Sequence, residues 1–534
     1  MTPIFQIRNQ QTTWLFFFGV MAILTWITFG SLSGHLLNAS GDEKDLLQDV
    51  KIIQEDPTYL FSAQRSAAVR PPVDLVFLIA YSLWGENPAG YHLLQIGLHL
   101  IASLLLAITM FRLGADLEFG LLSALLFLLN VAHFRSVQWV ILINYNLALI
   151  FSLSTLVAYH TWLTTGRHHL LALLGLTAAT FSHPSAVAAG AFCAYLAWRQ
   201  SDTPAQWMRR SISLIATTGM AGLLAYTLSS QHLQIQGLVT QIDLVRLLTN
   251  PLWYLGRLFS TAHWLTPIGI RNNAHPLELF LGILVILGTI ILYKKHLFPV
   301  ADWAIWTMLM VLPFINNASD RQIVGPSRQL YLASAGSSFI VAWLLRLLVQ
   351  KVSIHTLTRQ MTFALLSLGF VVSSVVALKR SESIDYWLVG RSFVAVEDFN
   401  TGIDQFKRAI HQGPHIVPSD IYIRLGAAAF SIGEFPTTLI EQGLSKRPHS
   451  PQLNVLLGVS AYLQDSPEAH RRGEARIQKA FGIATDKKPS AWKQPGHFKT
   501  WERISLFKSN TRVRHCFSKR RSRDTPIIRA HSSI

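Results

Sequence analysis

The sequence predicts an all-α membrane protein: a polytopic helix bundle of about eleven spans, followed by a soluble helical-hairpin region. Three observations predict it. Half of the 534 residues are apolar and only 14% are charged, where a soluble domain carries about a quarter. The missing charge is missing from residues 1–380 and returns afterwards, as in a chain that meets lipid first and water later. Apolar runs close to the ~20 residues that cross a bilayer recur along that first part. Fifteen Trp and thirty Phe fit the same solvent, since aromatic rings favour the membrane interface.

Runs bounded by charge, Gly or Pro give the expected spans: 14–34, 91–111, 118–133, 144–163, 169–182, 184–198, 211–229, 276–293, 301–315, 329–349 and 361–378. His183 and Pro184 alone separate the fifth from the sixth, so that pair also reads as one bent hairpin. The first run is longer than a signal-peptide core and no small-residue cleavage site follows it, so it reads as a true span.

Basic loops give the direction. A cytoplasmic N-terminus puts Arg112, Arg167, Arg199, Arg209, Arg210, Lys294, Lys295, Arg346, Lys351 and Arg359 inside, against Arg135, Arg321 and Arg328 in short external loops. Positive loops face the cytoplasm, so the C-terminal region is expected in the periplasm or an organelle lumen. The net charge of +17 is read as this topology signal plus the thirteen Lys and Arg of the last 51 residues, not as a nucleic-acid footprint. Cys193 and Cys516 offer neither a disulfide framework nor metal spacing.

Two long segments fall outside, 35–90 and 230–275. The second holds Leu252, Trp253, Tyr254, Leu255 and Trp264 and reads as an interfacial helix or re-entrant piece. The first opens with six acids within fifteen residues, Asp42 to Asp56. A solvated acidic face explains most of them. Asp42 and Glu43 have a sharper reading, because carboxylates at a cavity mouth act as general base toward a hydroxyl or hold a divalent cation. Arg70 is suited to a phosphate. Sequons at Asn38 and Asn317 fall on the external side.

Residues 386–483 are helix-compatible. The stretch Ile421–Gly426 with Phe430 echoes Leu453–Gly458 with Tyr462, an offset of 32 residues close to the tetratricopeptide period. Pro418 and Pro451 introduce the two copies. Gly426 and Gly458 are expected to let paired helices approach closely, and 391–412 to supply a third partner. The basic, Ser- and Pro-rich stretch 484–534 is expected to be disordered.

Three stretches carry a resemblance. Arg70-Pro71-Pro72 leads to Gly90-Tyr91-His92-Leu93-Leu94 and His99-Leu100; Asn130-Val131-Ala132-His133-Phe134-Arg135 follows; Arg328-Gln329-Leu330-Tyr331 comes last. Together they resemble the GT-C superfamily of membrane glycosyltransferases, protein O-mannosyltransferase-like members with tetratricopeptide repeats, over residues 10–380. The resemblance implies a polyprenyl- or dolichyl-phosphate sugar donor and an external acceptor, with protein as one candidate. It implies Asp42 as base with Glu43 beside it, Arg70 and Arg328 on the lipid phosphate, and His92 and His133 as polar cavity members. It carries no resident metal, a divalent cation being the one candidate cofactor.

The chain departs from the family at three places. Arg135 stands where relatives carry an acid, Asn144-Tyr145-Asn146 where many carry Arg two places before an acid, and His183-Pro184 where Lys-Glu is frequent. Two readings follow: altered acceptor chemistry, or a non-catalytic scaffold whose repeats at 386–483 bind a partner. A transporter is disfavoured, since acids are nearly absent from the spans and the halves show no symmetry.

Overall fold

The computed structural model describes residues 10–62, 64–65, 68–235, 243–260, 274–316, 327–352, 356–462, 464 and 466–486. Trp264, Asn317, Arg321 and the tail beyond 486 with Cys516 lie outside the described residues. Among the described residues every regular element is helical. Contacts divide the chain into two compact units: residues 1–385 with 412–416, and residues 386–411 with 417–534.

The first unit holds α1 (Gln10–Phe29), α2 (Asp42–Glu55), α3 (Pro71–Trp84), α4 (Pro88–Arg112), α5 (Leu117–Leu128), α6 (Arg135–Gln138), α7 (Ile143–Thr165), α8 (His169–Ser182), α9 (Val187–Arg199), α10 (Pro204–Ile235), α11 (Leu244–Phe259), α12 (Pro276–Lys294), α13 (Val300–Val311) and α14 (Tyr331–Val352), and α15 (Thr356–Ala395) as far as Asp385. Among the described residues, seven segments are long and apolar enough to cross a membrane: Gln11–Gly34, Pro88–Arg112, Val140–Thr165, Pro204–Leu228, Pro276–Lys294, Tyr331–Gln350 and Met361–Ala395. Their outer faces are apolar, with Leu15, Phe16, Leu223, Leu284 and Leu365 exposed. In water such a surface is costly and in lipid it is not; the protein is an integral membrane protein.

Four expected spans are short helices, three of them shorter than the sequence predicts and α8 with the bounds expected for it. α5 and α13 have 12 residues, α9 has 13 and α8 has 14. At 1.5 Å per residue the longest reaches about 21 Å, against a hydrocarbon core of about 30 Å. Each stops at a local breaker. α8 ends at His183, which is extended before Pro184, and α9 restarts after a 3₁₀ turn. α13 tightens into a 3₁₀ turn around Pro313. α5 gives way to Asn130, whose side chain accepts from Ala132 N at 2.9 Å and caps the 3₁₀ turn Val131–His133. Among the described residues of 230–275 is the helix α11, with Trp253 and Tyr254 buried.

α11 and α12 meet through small residues. A Cβ on Gly256 would fall 1.7 Å from the Glu278 carbonyl oxygen, and one on Gly282 would fall 2.1 Å from that of Leu252. Close backbone approach of this kind needs glycine on both helices. Beside the contact, the buried Arg257 Nε lies 2.5 Å from Glu278 Oε1.

The second unit comprises residues 386–395 of α15, α16 (Phe399–Gln412) up to His411, α17 (Ile421–Ser431), α18 (Thr437–Lys446), α19 (Pro451–Tyr462) and α20 (Pro467–Asp486). These form three successive helical hairpins, and the sequence echo falls on α17 and α19, which lead the second and third. Glycine mediates every pairing. A Cβ on Gly390 would lie 2.8 Å from Phe406, on Gly443 2.6 Å from Tyr422, and on Gly473 2.5 Å from the Gly458 carbonyl. Gly426 and Gly458 behave as expected, with Leu456 and Ile477 at 2.8 and 2.6 Å from the same construction. Residues 386–411 thus supply a complete third hairpin rather than a lone supporting helix.

Replacing Gly256 with Ala is expected to cost at least the ~1–3 kcal/mol of overpacking, read as a fall in thermal midpoint in detergent. Gly288→Ala, on α12 with open space around it, is expected to be neutral or to gain up to about 1 kcal/mol from helix propensity.

Candidate functional site

The site is built on the loop between α1 and α4. Gly41, at φ +84°, turns the chain into α2, and the three acids of its first turn suit the positive end of the helix dipole. Leu46, Val50 and Ile53 are buried on one face of α2, and Glu43 continues that face. Neighbouring acids therefore differ. Asp42 is exposed, whereas Glu43 is 3% exposed. Glu43 Oε2 accepts from Asn38 N at 2.6 Å and from Asn38 Nδ2 at 2.9 Å. Burial, with the Asp385 carboxylate nearby, outweighs those bonds and lifts Glu43 to about 7.

A buried ion pair fixes the rest of the loop. Arg65 donates from Nη1 and Nη2 to Asp74 at 2.8 and 2.7 Å, and its Nε lies 3.4 Å from Asp49. The fork geometry satisfies both carboxylate oxygens in a place with almost no solvent. Asp74 Oδ2 also accepts from Arg70 N at 3.1 Å. Arg70 is held as the residue that opens α3, ahead of Pro71 and Pro72. The acidic stretch is thus only partly a solvated face, because Glu43 and Asp49 are core residues.

Three arginines gather at this place. The charges of Asp42 and Arg328 both act on Arg70, whose pKa burial lowers. Asp42 and Arg328 act on Arg135 too; burial first, and Arg328 after it, pull Arg135 down to about 9. Tyr145, at the start of α7, feels Arg328, Arg70 and Arg135. His183 packs on the Tyr145 ring at 4.1 Å and feels Arg70 and Arg328. Among the described residues, none of the three arginines pairs with a carboxylate. Arg135, 8% exposed, has its guanidinium 4.1 Å above the Trp139 ring and leaves Nε without a hydrogen-bond partner.

The segment that carries Arg135 is irregular backbone inside the bundle, and side chains anchor it. Gln95 Nε2 donates to the Ser136 carbonyl, as does Asn146 Nδ2 at 3.2 Å. Gln138 Nε2 donates to Ser381 Oγ at 2.7 Å. Tyr331 bonds His99 Nδ1 at 2.8 Å and donates to Asn146 Oδ1. His133 bonds Ser334 Oγ at 2.7 Å through Nδ1. His92 lies instead against His35, with ring centroids 6.1 Å apart. His35 Nδ1 bonds Asp385 at 2.6 Å.

Of the residues singled out in the sequence, Asp42 and Arg328 are thus both within electrostatic reach of Arg70. Glu43 is turned inward, His133 is engaged in anchoring, and His92 belongs to the His35–Asp385 cluster. Arg135 and Tyr145 join the site, although the sequence marked them only as departures from a pattern. The Arg65–Asp74 pair had one sequence signal, an acid in the first turn of an apolar helix. Unpaired guanidiniums and a phenol can hold an oxyanion, and the exposed Asp42 carboxylate beside them can take a proton. Among the described residues no three His, Cys, Asp or Glu side chains form a metal-holding group.

Glu43 binds its proton more tightly folded than unfolded, so its contribution to stability is present below about 4.5 and lost as pH rises through about 7. Glu43→Gln, which mimics the protonated acid, is expected to match the parent thermal midpoint near pH 5 and exceed it at pH 8, by at most about 3 kcal/mol. A difference independent of pH would contradict this.

No protein-family model matches the chain, and neither does any curated protein or solved structure.

Proposed function

We propose that the protein is a membrane glycosyltransferase that moves a sugar from a polyprenyl-phosphate-linked donor to an acceptor on the external side, with a protein hydroxyl as the candidate acceptor. The observation that carries this reading is the gathering of Arg70, Arg135 and Arg328, which pair with no carboxylate among the described residues, around an exposed acid on the loop after the first span. An isolated buried guanidinium is costly unless an anion neutralises it. A lipid phosphate at the bilayer edge would supply that anion.

In this reading Arg70 and Arg328 hold the phosphate. Asp42 takes the proton of the acceptor hydroxyl, whose oxygen attacks the anomeric carbon. The carbon–oxygen bond to phosphate breaks, the electron pair leaves with the phosphate, and the arginines stabilise its growing charge. Glu43, bonded to Asn38, positions the first turn of α2 so that Asp42 faces outward. The four shorter helices, with the irregular backbone next to them, complete eleven crossings, with the N-terminus in the cytoplasm. The second unit is a tetratricopeptide-like region on the external side that presents the acceptor.

A second reading, a non-catalytic scaffold, is favoured by Arg135 in place of an acid and by the three hairpins of the second unit, the number such stacks need to stand alone. Transfer of radiolabelled sugar from a polyprenyl-phosphate donor in membranes separates the two. Asp42→Asn is expected to lower transfer by at least ~100-fold, the lower end of general-base catalysis, with unchanged expression. Undiminished transfer in that variant would remove Asp42 from the mechanism, and absence of transfer in the parent would favour the scaffold.

A further inference from the structure

The two helices of the loop between α1 and α4 expose opposite chemistry. The exposed side chains of α2 are Asp42, Lys44, Gln48, Lys51, Gln54 and Glu55, a face suited to water. On α3, Val73, Phe77 and Ala80 are buried. Leu75, Ile79 and Leu83 recur every four residues on the far side of the same helix and are 58, 55 and 66% exposed. Ser82 is the exposed polar residue of α3, and its hydroxyl donates to the Leu78 carbonyl at 2.8 Å. A helix that is apolar on both faces needs cover on both.

The bilayer around the spans is the cover that continues onto this row. Gly85, Glu86 and Asn87 alone separate α3 from α4, one of the segments long and apolar enough to cross a membrane. The joint is tight. A Cβ on Gly90 would fall 2.2 Å from the Trp84 ring, the Tyr91 ring stacks on Phe77 at 5.8 Å, and the Tyr91 hydroxyl donates to the Gly85 carbonyl at 2.5 Å. Past that joint α4 exposes Leu93 and Ile101. α3 itself has 14 residues, about 21 Å, and falls short of the ~30 Å hydrocarbon core. α2 packs on α3, and polar bonds join them: Lys51 Nζ to Glu86 Oε1 at 2.5 Å, and Gln54 Nε2 to Ser82 Oγ at 3.2 Å. A short helix with an apolar row on one side and a polar helix on another fits the boundary between lipid and water.

We infer that α3 is seated in the membrane surface, with Leu75, Ile79 and Leu83 among the acyl chains of the surrounding lipid and the exposed face of α2 in water. The partner of this row is lipid hydrocarbon, not a second protein. The seat extends to the rest of the loop through Asp74, on the buried side of α3, which holds the Arg65 fork and the backbone N–H of Arg70. The depth of Arg70 is thereby set by lipid. This seat requires no sugar transfer and stands whether or not the protein is a glycosyltransferase.

Nitroxide labels on single cysteines test it, in the full-length chain carrying Cys193→Ala and Cys516→Ser and reconstituted in phosphatidylcholine vesicles. Leu75→Cys, Ile79→Cys and Leu83→Cys report on the row, and Gln48→Cys and Glu55→Cys on α2. Oxygen concentrates in hydrocarbon and a nickel chelate stays in water. The three α3 labels are expected to collide with oxygen and be shielded from nickel, and the two α2 labels to show the reverse. Nickel access at the row equal to that on α2 places the row in water and overturns the seat. Shielding from both reagents overturns it too: dipolar coupling between labels then identifies a second copy as the cover, and its absence identifies another protein surface. Where a label prevents folding, a photoreactive benzoylphenylalanine in place of Leu83 in the parent decides, through a lipid-sized mass adduct on irradiation; an adduct to protein alone overturns the seat.

Discussion

Irregular backbone buried inside the bundle is the constraint on which the first unit depends. Between α5 and α7 the chain runs through two 3₁₀ turns and the four-residue α6. Every peptide group there that leaves the helical ladder must find another partner, because a buried N–H or C=O left unpaired is costly. Gln95 and Asn146 both donate to the Ser136 carbonyl, and Asn130 caps the first turn. Tyr331 and Ser334, on α14, fix Asn146 and His133 from the opposite side. The polar interior of this bundle is thus the means by which a broken segment is tolerated. The same break turns Arg135 toward Arg328, which a continuous helix in its place would not provide.

The loop between α1 and α4 solves a different problem by similar means. Its helices α2 and α3 are short, and α2 is amphipathic rather than apolar. The Arg65–Asp74 fork with Asp49 behind it ties both helices at one point. A buried pair of this kind adds little net stability over an apolar contact, yet losing one partner is severe. Its value here is geometric, since Asp74 also holds the backbone of Arg70. The residue that meets the anion is thereby attached to the most sterically determined point of the loop.

Much of this was legible in the sequence and some of it was not. The bundle followed from apolar runs, which record the solvent directly. The lengths of α5, α9 and α13 did not follow, because a run of apolar residues does not reveal where Asn130 or Pro313 turns the backbone. The meeting of Asp42, Arg70 and Arg328 was expected from a resemblance of short motifs, not from periodicity. Arg135 escaped because nothing local distinguishes a topology-setting arginine from one aimed inward. Arg65 with Asp49 and Asp74 escaped for a related reason: pairing across 16 and 9 residues leaves no periodic trace. Gly426 and Gly458 were readable, since a small residue repeated at a helical-hairpin period has few other uses.

The Tyr331 hydroxyl has a consequence for biosynthesis. It serves Asn146 and His99 across 185 and 232 residues of chain. Membrane helices enter the bilayer in order of synthesis, so α4 and α7 are in place long before α14 emerges. During that interval the polar groups of His99 and Asn146 lack their native partner in a medium that provides none. His99 keeps the Leu128 carbonyl and Asn146 the Ser136 carbonyl, and arrival of α14 is the event that completes the set.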